Sequence, residues 1–267
     1  MLNFRLTNII FGMLMLALVA IDFFIFLPVY CYGILIIAYL LALFLGSYRV
    51  NSQFFIPTIC RARINEKKIA LTFDDGPLPK HTPRILEMLR AEGVKATFFC
   101  IGKNAAANID LLKRIHEEGH SIGSHSFAHG FWFDLLSAKA MTKDLKQLHE
   151  LIKTTIGQDV KWFRPPYGVT TPNLRKAVEQ MDYAVIGWTV RSMDTVARDK
   201  EALLDKLKRA LKPGHIFLFH DSAGVTADIL PDFIHHARSE GYEIVPLDQL
   251  LNLQPYVGRT ALRNNAV

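Results

Sequence analysis

Three cysteines, Cys31, Cys60 and Cys100, are too few, too scattered and odd in number for a disulfide framework or a cysteine-based metal knuckle. Each is expected to be a structural thiol. No glycine-rich phosphate cradle occurs, which argues against phosphoryl transfer. The net charge of +6 comes with no basic strand pair interleaved with aromatics and no nucleic-acid motif, so nucleic acid is not an expected partner. Charge itself is scarcest near the start: from Leu6 to Tyr48 the only formally charged side chain is Asp22.

That uncharged stretch exceeds the roughly 20 apolar residues needed by one membrane-spanning helix. Pro28 divides it into Ile9–Leu27 and Val29–Gly46, which predicts a membrane anchor of two apolar helices within residues 1–50. A cleaved signal peptide fits poorly, because the apolar region is too long and a second one follows at once. The residues before Cys31, Val29-Tyr30, also lack the small residue of a lipoprotein signal. Positive charge flanks both outer ends, Arg5 before and Arg49, Arg61, Arg63, Lys67 and Lys68 after, whereas the connection near Pro28 has none. By the positive-inside rule this places both ends, and the bulk of the protein, at the cytoplasmic face of the cell membrane. Residues 51–67 read as a basic linker suited to anionic membrane lipid.

From Lys68 a rhythm begins. Short apolar runs, Ile69–Phe73, Ala96–Ile101, Ser121–Ser124, Trp162–Arg164, Ala184–Val190, Ile216–His220 and Glu243–Pro246, read as strands. Helical patterns alternate with them: Thr82–Glu92, Asn104–Glu118, Ser137–Ile156, Thr171–Met181, Asp199–Leu211 and Ala227–Glu240. Ser137 reads as an N-cap, Pro172 as a first helical residue, and Gly93, Gly119 and Gly241 as glycines just past helix ends. Such alternation predicts one parallel α/β domain over 68–252, an open sheet or a barrel, followed by a polar, frayed tail over 253–267.

The polar residues gather at the C-terminal ends of these strands, where a β/α barrel carries its chemistry. Asp74-Asp75 end the first strand, and two adjacent carboxylates there need a cation, a basic partner or a task to offset repulsion and desolvation. His125 and His129 stand at i and i+4, on one face if that turn is helical, and with one carboxylate they make an open three-ligand metal site. Arg164 ends a strand, and Pro165-Pro166 then stiffen the backbone so that the next N–H, on Tyr167, becomes a fixed donor. His220 ends another strand and can exchange a proton near neutrality. The remaining histidines lie in or beside helices or precede elements and are read as structural or solvated.

In order, Thr72-Phe73-Asp74-Asp75-Gly76-Pro77, His125-Ser126-Phe127-Ala128-His129, Arg164-Pro165-Pro166-Tyr167-Gly168 and Leu218-Phe219-His220 resemble four motifs of the NodB-homology polysaccharide deacetylases, carbohydrate esterase family 4. The likeness runs from about Lys68 to Leu251 and leaves the apolar segment outside. It implies a distorted (β/α)7 barrel and a hydrolase acting on the carbon–nitrogen bond of an N-acetylated amino sugar, in a cell-envelope glycan or a lipid-linked glycan. It further implies that Asp75, His125 and His129 hold a divalent metal, most often Zn2+, with Co2+ or Mn2+ as alternatives. Asp74 would be the base, tethered by Arg164, and His220 the acid, paired with Asp194. Tyr167, Pro166 and Leu218 would line the acetyl site. One stretch departs from the family pattern, Asp-x-x-Asp-Trp: Arg191-Ser192-Met193-Asp194-Thr195 puts Arg191 for the first Asp and Thr195 for the Trp. The resemblance therefore implies a lost aromatic wall and an added cation at Arg191, suited to an anionic substrate. The alternative is an inert, membrane-tethered glycan-binding protein of the same fold.

Overall fold

A computed structural model describes residues 3–257. In chain order its elements are α1 (Phe4–Ile25), α2 (Tyr30–Tyr48), β1 (Thr58–Ile59), β2 (Lys68–Asp74), α3 (Thr82–Ala91), β3 (Thr97–Cys100), α4 (Gly102–Ala107), α5 (Ile109–Glu117), β4 (Ser121–Ser124), α6 (Ala138–Ile156), β5 (Trp162–Phe163), α7 (Pro172–Gln180), β6 (Ala184–Ile186), β7 (Val190–Arg191), α8 (Lys200–Arg209), β8 (Ile216–His220), α9 (Gly224–Ser239), β9 (Glu243–Ile244) and α10 (Leu247–Leu251). The sheet order is β1-β6-β5-β4-β3-β2-β8-β7, with β9 also on β2, and its ladders are parallel. Helices cover the outside, so strands are buried on both faces and read as continuous apolar runs. In β2 only Lys68 is not fully buried, and the Phe73 ring stacks between Phe98 at 5.0 Å and Phe219 at 5.7 Å.

The sheet closes through one run of chain. β6 lies beside β5 and β1 at one end of the order, and β7 lies beside β8 at the other. Only Gly187-Trp188-Thr189 separate them, so this segment crosses the seam and curls the sheet into a distorted barrel. The predicted strand Ala184–Val190 therefore breaks at Gly187, where a Cβ would stand 2.6 Å from Cys60 Sγ. The predicted helix Asn104–Glu118 also breaks, at Asn108, whose side-chain amide donates to the carbonyls of Pro77 and Asn104.

Local chemistry sets most other boundaries where the patterns put them. Ser137 and Thr171 accept from the N–H groups of Ala140 and Leu174, Pro172 opens α7, and Gly93, Gly119 and Gly241 take φ of 63°, 82° and 78°. Residues 51–67, expected to be a linker, instead contain β1, and Phe54, Phe55 and Ile56 are buried in the main core. Of the expected frayed tail, residues 258–267 lie outside the described residues. The described part is held: Tyr256 bridges Val160, and its hydroxyl accepts from the Ile122 N–H at 2.8 Å.

The two N-terminal helices form the expected hairpin, 22 and 19 residues long and apolar enough to cross a membrane. At about 1.5 Å per residue each is close to the hydrocarbon thickness of roughly 30 Å. Asp22, the one charge between Leu6 and Tyr48, closes the turn: its carboxylate accepts from the Leu27 N–H and, at 2.9 Å, from the Tyr32 hydroxyl. The open end of the hairpin is seated on the barrel. Phe4 N–H donates to the Phe54 carbonyl, and Ser47 and Thr170 exchange two hydrogen bonds of 3.0 and 2.7 Å. Gly46 touches Phe54 so closely that a Cβ there would fall 2.4 Å from the ring.

Candidate metal and acid–base site

Parallel register brings the motif residues to one edge. Asp74 pairs with Phe99 on one side and His220 on the other, Cys100 with Ser124, and Ser124 with Phe163. Asp74, Asp75, His125, Arg164 and His220 thus share the C-terminal edge of adjacent strands. They surround a cavity of about 180 Å³ that is also lined by His129, Pro165, Tyr167, Trp188, Arg191, Thr195 and Leu218, Arg164 lying beneath it.

Asp74 and Arg164 are both buried, at 3% and 0% exposure. The guanidinium is held from four directions: Nη1 donates to Asp74 Oδ1 and to Thr72 Oγ1, both at 2.8 Å, Nε to Ile186 O, and Nη2 to Gly187 O. It also lies 4.1 Å from the Phe99 ring centroid. Burial lowers the pKa of Arg164, and the charge of Asp74 opposes that. Removing either partner would leave a buried uncompensated charge, a cost of about 3–5 kcal/mol.

Asp75 points elsewhere because its backbone turns left-handed, with φ 81°. Its Oδ2 accepts from Ser222 Oγ at 3.1 Å, and its Oδ1 lies 3.9 Å from Nε2 of both His125 and His129. The two histidines do not share a helical turn, as their spacing suggested. They converge through a loop with left-handed residues at Ser126 (φ 65°) and His129 (φ 45°). The Asp144 carboxylate, from α6, anchors that loop by accepting the N–H groups of Phe127 and Ala128.

These three residues fit a divalent metal. Their donor atoms lie within 4.8 Å of one another. Separations of 3.9 Å are too long for hydrogen bonds. They suit atoms arranged around an ion with bonds of about 2.0–2.2 Å. His125 Nδ1 lies 2.8 Å from the Arg164 carbonyl, which demands an N–H there and leaves Nε2 free to ligate. Burial, then the neighbouring His125, push His129 down to about 4, so its imidazole is neutral at pH 7.

Across the cavity, His220 Nδ1 lies 2.7 Å from Asp194 Oδ1, and Asp194 Oδ2 accepts the His220 N–H and the Thr226 hydroxyl. Burial alone would lower the pKa of His220. The hydrogen bond and charge of Asp194, helped by Asp74 and Asp75, outweigh it, and the net shift is upward.

Not every expected position falls as the motifs suggested. Pro165 lines the cavity and Pro166 does not, although Pro166 is buried beside it. Thr195 does stand where the family pattern has an aromatic, yet an aromatic wall exists: Trp188, in the seam between β6 and β7, lines the cavity. Arg191 lies 6.0 Å from its ring centroid and has no carboxylate partner within 4.0 Å among the described residues. Asp221 is a second residue the motifs left unremarked. It is fully buried behind the acid pair, its carboxyl pushed up to about 8 by burial, against a 2.6 Å hydrogen bond from Thr82 and with Asp75 and Asp74 adding to the rise. Gly76 makes room for it, since a Cβ there would stand 1.8 Å from its Oδ2. The other histidines stay out of the cavity, and the three cysteines are free thiols.

A parallel α/β barrel with this cluster on its C-terminal edge has the fold of the polysaccharide deacetylases. The chain belongs to that family: the polysaccharide deacetylase family profile matches residues 61–186. The chain is 35% identical over 189 residues to a peptidoglycan-N-acetylglucosamine deacetylase of Bacillus cereus, covering 67% of this chain and 68% of that one. It is 34% identical to the peptidoglycan-N-acetylglucosamine deacetylase PgdA of Listeria monocytogenes over 76% of its own length, but spans only 43% of that longer protein. A solved peptidoglycan N-acetylglucosamine deacetylase superposes with a TM-score of 0.70 at 28% identity, over 74% of this chain and 94% of the other.

Proposed function

We propose that this chain is a membrane-anchored, metal-dependent hydrolase that removes an N-acetyl or other N-acyl group from an amino sugar of a cell-envelope glycan. The observation that carries the reading is the convergence of Asp75, His125 and His129, beside the Asp74–Arg164 pair and opposite His220–Asp194, on one small cavity. The names of the relatives, deacetylases of peptidoglycan sugars, supply the substrate class.

Asp75, His125 and His129 would hold the metal, with Zn2+ suited to this donor set. When bound, it would supply a Lewis acid and lower the pKa of water beside it. Asp74 takes the proton of the water that attacks the amide carbonyl carbon, while Arg164 keeps that carboxylate oriented. The Tyr167 N–H donates to the developing oxyanion. His220, whose protonated form the pairing with Asp194 favours, gives its proton to the sugar nitrogen as the C–N bond breaks, leaving acetate and a free amine. Leu218 packs on the acyl methyl, and Trp188 faces the sugar. The hairpin holds the barrel to the membrane, with flanking basic residues on the cytoplasmic side.

Mass spectrometry of envelope glycans and lipids from a deletion strain tests this reading. An amino sugar that keeps one extra acyl group in the mutant and loses it on complementation is the expected result. Identical acylation of every species in both strains would refute the assignment.

A further inference from the structure

The apolar surface of the barrel is distributed unevenly. Beyond Tyr48, every large hydrophobic side chain exposed among the described residues lies on three loops of the C-terminal edge. Phe131, Trp132 and Leu135, at 73%, 67% and 75% exposure, follow His129 directly. Met193 and Val196 flank the cavity residue Thr195, and Tyr167 is itself on the cavity wall. Isolated exposed apolar residues are ordinary; their confinement to the mouth of one cavity is not.

The same edge receives the hairpin. Ser47, in the last turn of α2, exchanges its two hydrogen bonds with Thr170, three residues past Tyr167. Val50 and Trp188 meet at Gly168, where a Cβ would stand 2.5 Å from the indole and 3.5 Å from Val50. One layer of side chains therefore separates the end of a membrane-length helix from the cavity wall. Cations complete the pattern: Lys139, Lys143 and Lys146 stand exposed at helical spacing on α6, just after the apolar loop, and Arg191, with no carboxylate within 4.0 Å among the described residues, stands at the mouth. Aromatics and aliphatics backed by basic residues are the composition of a surface that rests in the headgroup region of an anionic bilayer.

We propose that the C-terminal edge of the barrel docks on the bilayer that the hairpin spans, with Phe131, Trp132, Leu135 and Val196 seated at the headgroup–acyl boundary. Resting on the anchor and deacylase readings above, this makes the substrate an amino sugar joined through phosphate to a membrane lipid, the phosphate meeting Arg191. A polymer strand lying across the mouth would have to displace this contact.

The test uses the full chain in vesicles containing one quarter anionic phospholipid. Lipids brominated on the acyl chain should quench a share of the tryptophan emission, and Trp132→Phe should abolish that share. The triple variant Phe131→Ser, Trp132→Ser, Leu135→Ser should lose at least tenfold in kcat/KM on polyprenyl-diphosphate-linked N-acetylglucosamine in the same vesicles. On a soluble N-acetylglucosamine tetramer it should change less than twofold. Trp132 emission untouched by brominated lipid, or equal losses on both substrates, would overturn the docking proposal. Should the wild type release acetate from neither substrate, the deacylase reading falls, while the quenching result still decides the docking.

Discussion

Helix α1 and strand β2 are both strongly apolar, and they are treated oppositely. Nearly the whole of α1 is left uncovered, with Thr7 its only buried residue, whereas β2 is buried from Ile69 to Asp74. The difference follows from the backbone. A helix satisfies its own N–H and C=O groups and can present an apolar surface to lipid, while a strand needs neighbours on both sides. In the barrel, that obligatory burial has a use: it carries charged groups to a dry edge where Asp74 and Arg164 can pair at 2.8 Å. In the hairpin, the lone Asp22 only closes a turn. In the proposed function, chemistry belongs to one region and placement to the other.

That division can be broken by experiment. The largest effect should come from Asp74→Asn, which keeps the size and loses the proposed base: kcat on a soluble N-acetylglucosamine oligomer should fall by about 10²–10⁴. Sugar affinity and membrane association should stay unchanged. Next is Asp194→Asn. Because Asp194 raises the pKa of His220, and the protonated form is the proposed donor, activity should be lost as pH rises through that raised value. Without the carboxylate charge the alkaline limb of the kcat profile should move to lower pH, with a smaller loss at its optimum. Unchanged limbs would remove His220 as the acid. The smallest effect on turnover should come from Gly46→Leu, which forces a side chain into the Phe54 ring. It should cost about 1–3 kcal/mol of stability by overpacking, read as a lower unfolding midpoint, and speed proteolysis after Tyr48. Hydrolysis of the soluble oligomer should remain within twofold.

The fold was legible where local rules and burial agree. The apolar run to Phe73, the caps Ser137 and Thr171 and the glycines after α3, α5 and α9 all carry their own signals. Elements set by tertiary contact were not. β1 has two residues, and its neighbours Phe54 and Phe55 sit in a stretch whose basic residues suggested a linker. The break between β6 and β7 comes from a packing demand at Gly187 that no periodicity displays. Among the site residues, Asp74, Asp75, His125, His129, Arg164 and His220 could be read from motifs because each ends a strand or follows one. Trp188 was hidden because it lies in the seam. The left-handed turns at Ser126 and His129 were hidden because the i, i+4 spacing imitates a helix. Asp221 was overlooked beside the more conspicuous His220, though its burial makes it the odder residue.

Metal titration of chelator-stripped protein tests the central claim most directly. The full chain in nanodiscs, and its His125→Ala variant, would be titrated with Zn2+ while bound metal and acetate release from an N-acetylglucosamine oligomer are followed together. The wild type should bind one ion per chain and regain activity in step with occupancy, and the variant should do neither. Acetate release at full rate from the metal-free wild type, or undiminished in His125→Ala, would contradict the account.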